Sequence, residues 1–202
     1  MKIASIETIP VRIPLTAERR MVTALGLHHV SDYVLVRLTT DTGLVGVGEA
    51  TATPRWSGET VWGVQGIIQN LFAPLLVDRD LDDLAAIDQC MDLAAFDNWF
   101  AKSAIEMACW DVLGKAAGRP VHALLGGAVR PLTIRNRFSL GAYPPEVAAQ
   151  RAQQRVADGF TTIKVKVGTG PEEDVQRVRA VREAIGPDHH LTIDANGGWN
   201  DA

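Results

Sequence analysis

Two lysines and two later polar residues are the strongest candidates for chemistry in this chain. Lys164 and Lys166 alternate with apolar residues in the stretch TTIKVKVG, and Asp194 and Asn196 alternate with apolar residues in LTIDANGG. Because successive side chains of a strand point to opposite faces, each pair shares one face of its own strand. Strands of a parallel sheet are normally buried on both faces, so two ammonium groups beside a carboxylate need an explanation.

These residue types suit the abstraction of a proton next to a carboxylate. A nearby ammonium group or divalent cation favours the neutral form of a lysine, which can then accept a proton. A carboxylate in the same place is an oxygen ligand of the kind that Mg²⁺ prefers. Together they would let a lysine take the α-proton of a substrate while the metal stabilises the resulting enediolate.

The alternative interpretation is that Lys164 and Lys166 belong to a solvated strand face and that Asp194 opens a turn. Charged residues usually lie at the surface, and for an isolated K-x-K motif this interpretation is the better one. Here, however, an aspartate ends the next strand one crossover later. The combination favours the functional interpretation.

A strand-helix-strand unit is the element that must position these residues. A helix is predicted over residues 171–185, between the two strands, and such crossover units place their strands parallel. A further strand in TIRNRFSL and a helix in PPEVAAQRAQQRVADG precede it. Barrel enzymes carry catalytic groups at the carboxyl ends of parallel strands, so both polar pairs should face the same end of the sheet.

The first part of the chain follows a different pattern. Apolar residues alternate in KIASIETIPVRI, where Pro10 indicates an edge strand, and YVLVRLTT and GLVGVGEA predict a hairpin. Residues 14–29, between these runs, are expected to form an exposed loop. The glycines of GLVGVG lie inside the hairpin, so they indicate close packing and not a dinucleotide site. A helix with one apolar stripe follows in AKSAIEMACWDVLGKAAG and ends at Gly118.

The order of these elements predicts two domains. Strands followed by helices occupy residues 1–127, and alternating strands and helices occupy residues 128–202. A complete (β/α)8 barrel needs about 250 residues, so the second domain has room only for the first three strands of such a barrel.

Composition and charge exclude several classes of protein. The 202 residues are 47% hydrophobic, which is enough for a buried core, and the net charge of −4 argues against a nucleic-acid surface. No apolar run has the length of a membrane span, and the first residues lack the pattern of a signal peptide, so we expect a cytoplasmic protein. Cys90 and Cys109 lie in helical patterns and are expected to be unpaired thiols.

Four segments carry a family resemblance: DTGLVGVGEA, AIEMACWDVLGKAAGRPVHALLGG, TTIKVKVG and LTIDANGGW. In this order they resemble the mandelate racemase and muconate-lactonizing enzyme family of the enolase superfamily. The resemblance implies an α+β capping domain followed by a modified TIM barrel, (β/α)7β, present here only as its first three strands. It also implies that Lys166 is the acid/base lysine, Lys164 its electrostatic partner, Asp194 the first ligand of Mg²⁺ (or Mn²⁺), and Asn196 a polar neighbour.

By this resemblance the full-length protein is expected to be a metal-dependent isomerase acting on a small carboxylate. K-x-K together with DANGGW favours the muconate-lactonizing branch, so a muconate-type cycloisomerase is the first expectation. The alternatives are an N-acylamino acid or dipeptide racemase or epimerase, a sugar-acid dehydratase, and a non-catalytic relative or inactive fragment. Two further metal ligands and a second base are expected beyond residue 202, so the chain by itself should be inactive.

The resemblance also bears on binding partners. A small-molecule substrate and further copies of the chain, in a homo-oligomer, are expected, with neither nucleic acid nor membrane. In the family two capping loops choose the substrate, and their counterparts are residues 16–30 and 50–58. Arg20 and Trp56 could touch a substrate there, although an ordinary surface role explains each equally well.

Overall fold

The computed structural model describes residues 1–200, and the chain divides into two compact units. The first unit comprises residues 1–13 and 31–132, and the second comprises residues 14–30 together with the chain from Thr133 onward. Segment 14–30 therefore belongs with the second unit, although the sequence on either side of it belongs to the first.

Within residues 1–200, eight strands form three sheets. In chain order they are β1 (Ile3–Pro14), β2 (Met21–Thr23), β3 (Gly26–His28), β4 (Val30–Thr40), β5 (Val45–Thr51), β6 (Phe138–Leu140), β7 (Thr162–Lys166) and β8 (His190–Asp194). The sheets have the orders β1-β4-β5, β2-β3 and β6-β7-β8. Pro10 thus lies in an edge strand, as the sequence predicted.

Eight α-helices occupy the same described range. They are α1 (Pro54–Ser57), α2 (Val61–Ile67), α3 (Ala73–Leu76), α4 (Leu84–Ala94), α5 (Trp99–Ala117), α6 (Val121–Leu124), α7 (Pro145–Ala157) and α8 (Pro171–Ile185). A turn of 3-10 helix at Ala17–Arg19 and a π-helical turn at Ile68–Phe72 complete the regular structure.

Helix α5 packs against the β4-β5 hairpin and forms the centre of the first unit's core. The predicted apolar stripe is buried, and it consists of Ala101, Ala104, Ile105, Ala108, Cys109 and Val112. A Cβ added at Gly48 would lie 1.8 Å from the backbone oxygen of Ala104, and one at Gly46 would lie 2.0 Å from that of Ala108. The glycines of GLVGVG therefore permit the close packing that the sequence predicted.

The second unit contains the predicted strand-helix-strand unit. Strands β6, β7 and β8 are parallel, with Phe138 opposite Ile163 and Lys166 opposite Asp194. The apolar side chains of β7 are fully buried in a cluster that includes residues of α7 and α8, among them Ala148. Period-2 alternation in β7 therefore places one face on the helices and leaves Lys164 and Lys166 on the other.

Two segments differ from what the sequence predicted. Residues 14–29 are not a plain loop, because β2 and β3 pair as an antiparallel hairpin whose tight turn uses Gly26 at φ 102°. Each strand has only three residues, too few for a visible period. The strand predicted in TIRNRFSL is confined to Phe138–Leu140, where pairing with β7 begins, and both of its arginines are exposed.

Candidate active site

The register of β7 and β8 brings the four predicted site residues together at the carboxyl ends of these strands. Lys166 ends β7 directly opposite Asp194, which ends β8, and Lys164 lies two residues earlier on the same face. Asn196 follows β8 by two residues. The crossover helix between β7 and β8 makes the two strands parallel neighbours in the sheet. Lys166 and Asp194, which are 28 residues apart in sequence, therefore lie side by side.

Both lysines bind the same carboxylate oxygen. The Nζ atom of Lys164 lies 2.9 Å from Oδ2 of Asp194, and that of Lys166 lies 2.8 Å from it. The two lysine side chains are 12% and 10% exposed, and the Asp194 side chain is 29% exposed. Ammonium groups so little exposed need a charged partner, and Asp194 provides it.

Asn196 completes this group through its side chain and its backbone. Its Oδ1 accepts a hydrogen bond of 2.6 Å from Lys166 Nζ, and its N–H donates to Asp194 Oδ1 over 3.0 Å. The residue has φ 46°, in the left-handed region that asparagine adopts more readily than most residues. The sequence DANGG therefore turns immediately after β8 and points the amide back at the lysine.

The electrostatics of the group follow from these contacts. The hydrogen bonds from Lys166 and then Lys164 hold the pKa of Asp194 well below its ordinary range, against the opposing effect of burial. One carboxylate thus faces two ammonium groups, which leaves a net positive charge at this end of the sheet. This positive charge attracts an anionic substrate and keeps the Asp194 carboxylate ionised.

Asp194 is also the residue of the four that could hold a divalent cation. Its oxygens are of the type that Mg²⁺ prefers, and Oδ1 accepts one backbone hydrogen bond while retaining capacity for a further ligand. Among the described residues no three His, Cys, Asp or Glu side chains gather closely enough to hold a metal. The donor chemistry fits magnesium, and a complete site would need more ligands.

The hairpin β2-β3 lies beside these strand ends, within the same compact unit. Ala142 N–H donates to Val22 O over 2.8 Å, and the Tyr143 hydroxyl donates to Arg20 O over 3.1 Å. A Cβ added at Gly198 would lie 2.5 Å from the Cβ of Ala24 in the hairpin turn. Segment 14–30 is therefore attached to the loops that follow β6 and β8.

The two capping-loop residues considered in the sequence have different surroundings. The guanidinium of Arg20 donates from Nε to Leu15 O over 3.4 Å, within segment 14–30. Trp56 belongs to the first unit, where it is 65% exposed and packs edge-on against Phe100 with ring centroids 5.7 Å apart. The substrate contacts expected of both residues stay predictions.

Sequence reasoning missed a second charged group beneath the site. Arg177 and Asp174 of α8 are both buried, and they contact the backbone at the end of β7. The sequence PEEDVQRVRAVREAI offers six or more charged residues on one helix, and nothing in the pattern separates these two from their exposed neighbours. Asp174 binds the loop just after β7, whereas Arg177 also binds the carbonyl of Tyr143, which lies 34 residues away.

None of the helices in the described part of the chain has both the length and the apolar character needed to cross a bilayer.

Two family models match the chain. The mandelate racemase / muconate lactonizing enzyme N-terminal domain matches residues 5–126, and the enolase C-terminal domain-like model matches residues 147–202. These matches agree with the expected fold, a capping domain followed by the first strands of a modified barrel.

Similar proteins include enzymes of two kinds. The hydrophobic dipeptide epimerase of Enterococcus faecalis is 39% identical over 176 residues, which are 87% of this chain and 49% of that protein. A crystal structure of dipeptide epimerase from that organism, complexed with Mg and the dipeptide L-Leu-L-Tyr, has a TM-score of 0.92 and 36% identity, covering 98% of this chain and 55% of that one. A muconate lactonizing enzyme from Mycobacterium smegmatis, complexed with muconolactone, has a TM-score of 0.89 and 38% identity, covering 98% and 54%. The chain therefore spans about half the length of the relatives it matches.

Proposed function

The chain belongs to the mandelate racemase / muconate lactonizing enzyme family, within the enolase superfamily, and from this we propose that the full-length protein is a dipeptide epimerase. The observation that carries the α-proton chemistry of the proposal is the group formed by Lys164, Lys166 and Asp194 at the ends of two parallel strands, and the dipeptide substrate is supported by the similarity to dipeptide epimerases. A dipeptide epimerase inverts the configuration at one α-carbon, which requires the removal and return of a proton next to a carbonyl carbon.

In the proposed mechanism Lys166 exchanges the proton at the α-carbon on one face of the substrate. Its amine must be neutral to accept a proton. Lys164 then stabilises the negative charge that develops on the substrate oxygen atoms. Asn196 positions the Lys166 side chain by accepting a hydrogen bond of 2.6 Å from its Nζ atom.

Asp194 would hold Mg²⁺ in this mechanism, together with ligands from outside the described residues. The ion would supply positive charge to the substrate carboxylate, as the Mg in the dipeptide complex of the E. faecalis enzyme suggests. Inversion needs a second base on the opposite face of the substrate. We propose that this base also comes from the part of the relatives' length that the chain does not span, so residues 1–202 alone should be inactive.

The substrate class is the finer part of the proposal. The sequence favoured a muconate-type cycloisomerase, whereas the curated relatives reported above support the alternative, a dipeptide epimerase. The lysine-carboxylate group suits either reaction, because both pass through an enolate-like intermediate at a carbon next to a carboxylate. A muconate-type cycloisomerase therefore stays the second candidate, supported by the similarity to a muconate lactonizing enzyme.

The two candidates are separated by one assay on the full-length protein. The protein is incubated with Mg²⁺ in D₂O, either with L-Leu-L-Tyr and other hydrophobic dipeptides or with cis,cis-muconate. We expect loss of the α-proton NMR signal of a dipeptide and the appearance of its epimer. Formation of lactone from muconate without any exchange in dipeptides would contradict the proposal in favour of the cycloisomerase, and no reaction with either would favour a non-catalytic relative.

A further inference from the structure

Arg177 is a fully buried cation in the second unit, and the mechanism above does not use it. Its Nη1 donates to Asp174 Oδ1 over 2.6 Å and to the backbone oxygen of Lys166 over 3.3 Å, and its Nε donates to the backbone oxygen of Tyr143. Its Nη2 lies 3.2 Å from Glu173 Oε1. The guanidinium therefore joins α8 to the end of β7 and to the loop that follows β6.

Asp174 is the buried partner, and it binds the loop that follows β7. Its Oδ2 accepts from the N–H of Gly168 over 2.6 Å and from that of Thr169 over 3.3 Å, and its Oδ1 accepts from the Thr169 hydroxyl over 3.1 Å. Burial opposes its charge, but these hydrogen bonds and that of Arg177 outweigh burial and lower its pKa. Both members of the pair are therefore charged in the folded protein.

Stability alone is a poor explanation for such a pair. Arginine cannot lose its proton, and taking two charges out of water costs several kcal/mol per ion, so a buried pair often contributes no more than apolar residues of the same size. What the pair does provide is a defined geometry. The guanidinium nitrogens and Nε of Arg177 lie against oxygens of Asp174 and Glu173 and against two backbone carbonyls, one at the end of β7 and one in the loop after β6.

The backbone that the pair holds is the backbone that carries Lys166. Arg177 binds the Lys166 carbonyl, Asp194 O accepts from Val167 N–H over 3.0 Å, and Asp174 binds Gly168 N–H. Two consecutive peptide groups are thus fixed immediately after the lysine, the group between Lys166 and Val167 and the group between Val167 and Gly168. Gly168 adds a steric constraint, since it has φ 84° and a Cβ there would lie 2.6 Å from Ala195 O.

We propose that Arg177 and Asp174 are positioning residues for Lys166, and that they act through the peptide groups between Lys166 and Gly168. The inference deepens the proposed function and rests on it for the role of Lys166 as a base. The Nζ atom of Lys166 must reach both Asp194 and the substrate, and a base displaced by about 1 Å loses roughly 100-fold in rate.

The test uses three variants of the full-length protein with Mg²⁺. Arg177→Met removes the hydrogen-bond donors. Arg177→Lys keeps the positive charge but lacks the planar guanidinium group that binds several oxygens at once. Arg179→Met is the control, because Arg179 is exposed on the same helix. We expect kcat for α-proton exchange to fall about 10- to 100-fold in both Arg177 variants, with KM changed less than about 2-fold, and no change in Arg179→Met. Unchanged kcat in a folded Arg177→Lys protein would overturn the inference.

A second measurement keeps the inference testable if the protein has no epimerase activity or if Arg177→Met does not fold. The NMR resonance of the Lys166 ε-methylene group is compared in the wild type, Arg177→Lys and Arg179→Met without substrate. We expect it to move in Arg177→Lys alone. An unmoved resonance would show that the pair only supports the fold, whereas a moved resonance in an inactive wild type would refute the proposed function and leave the positioning role standing.

Discussion

Replacing Asp194 by asparagine tests the electrostatic arrangement of the site without requiring catalysis. The carboxylate accepts hydrogen bonds from two ammonium groups and one backbone N–H, at 2.9, 2.8 and 3.0 Å. Hydrogen bonds to charged groups contribute about 1.5–3 kcal/mol each, and the side chain is 29% exposed, so water replaces part of that energy. We expect Asp194→Asn to lower the free energy of unfolding at pH 7 by about 2 kcal/mol.

The effect should depend on pH in a defined direction. The folded-state pKa of Asp194 is lowered by Lys166 and Lys164, so its charge stabilises the fold above the ordinary pKa of about 4. That contribution declines as the pH falls below about 4 towards the folded-state pKa. The difference between the wild type and Asp194→Asn should therefore shrink by about 1 kcal/mol between pH 7 and pH 3.

The assay is urea unfolding at several pH values in EDTA, followed by circular dichroism, on the wild type and two variants. Asp158→Asn is the matched control, because Asp158 pairs with Arg155 on the surface and both side chains are more than a third exposed. Such a pair contributes less than about 1 kcal/mol. A loss in Asp194→Asn no larger than in Asp158→Asn, or a difference that does not vary with pH, would refute the arrangement described for the site.

Two further predictions concern the first unit. Gly48→Ala places a Cβ 1.8 Å from Ala104 O, so thermal unfolding should show a loss of about 3 kcal/mol or more. In the control Gly66→Ala the added Cβ meets nothing within 4 Å and lies in helix α2, so stability should be unchanged or raised by up to about 1 kcal/mol. A Gly48→Ala protein with the melting temperature of the wild type would contradict the close packing. Burial raises the pKa of the Cys109 thiol to about 12, so a thiol reagent at pH 8 should modify Cys109 only after denaturation. Mass spectrometry locates the label, and rapid labelling of Cys109 in the native protein would show that this thiol is not buried.

The sequence was sufficient for the central part of the site because alternation in a strand is a local property. Lys164 and Lys166 had to share a face, and the crossover helix at Pro171–Ile185 had to make the two strands parallel. Those two inferences predicted that Asp194 lies at the same end of the sheet as the two lysines. The register that sets Lys166 opposite Asp194 is what the structure added.

Other features depend on contacts between distant parts of the chain, and for that reason no local pattern indicates them. The buried Arg177 binds the carbonyl of Tyr143, 34 residues away in sequence, and the carbonyl of Lys166, 11 residues away. Segment 14–30 is held to the loop after β6 by the backbone hydrogen bond from Ala142 N–H to Val22 O and by the bond from the Tyr143 hydroxyl to Arg20 O. The substrate class was equally beyond the motif, since the chain is similar both to a dipeptide epimerase and to a muconate lactonizing enzyme.

The most direct test of the central claim is the exchange of the substrate α-proton with solvent by a Lys166→Ala variant of the full-length protein. The variant is incubated with an accepted dipeptide in D₂O and followed by NMR, while Mg²⁺ binding is measured by calorimetry in the same preparation. If Lys166 is the base on one face, α-proton exchange on that face is lost while Mg²⁺ still binds. Exchange at the wild-type rate with Mg²⁺ bound would contradict the claim.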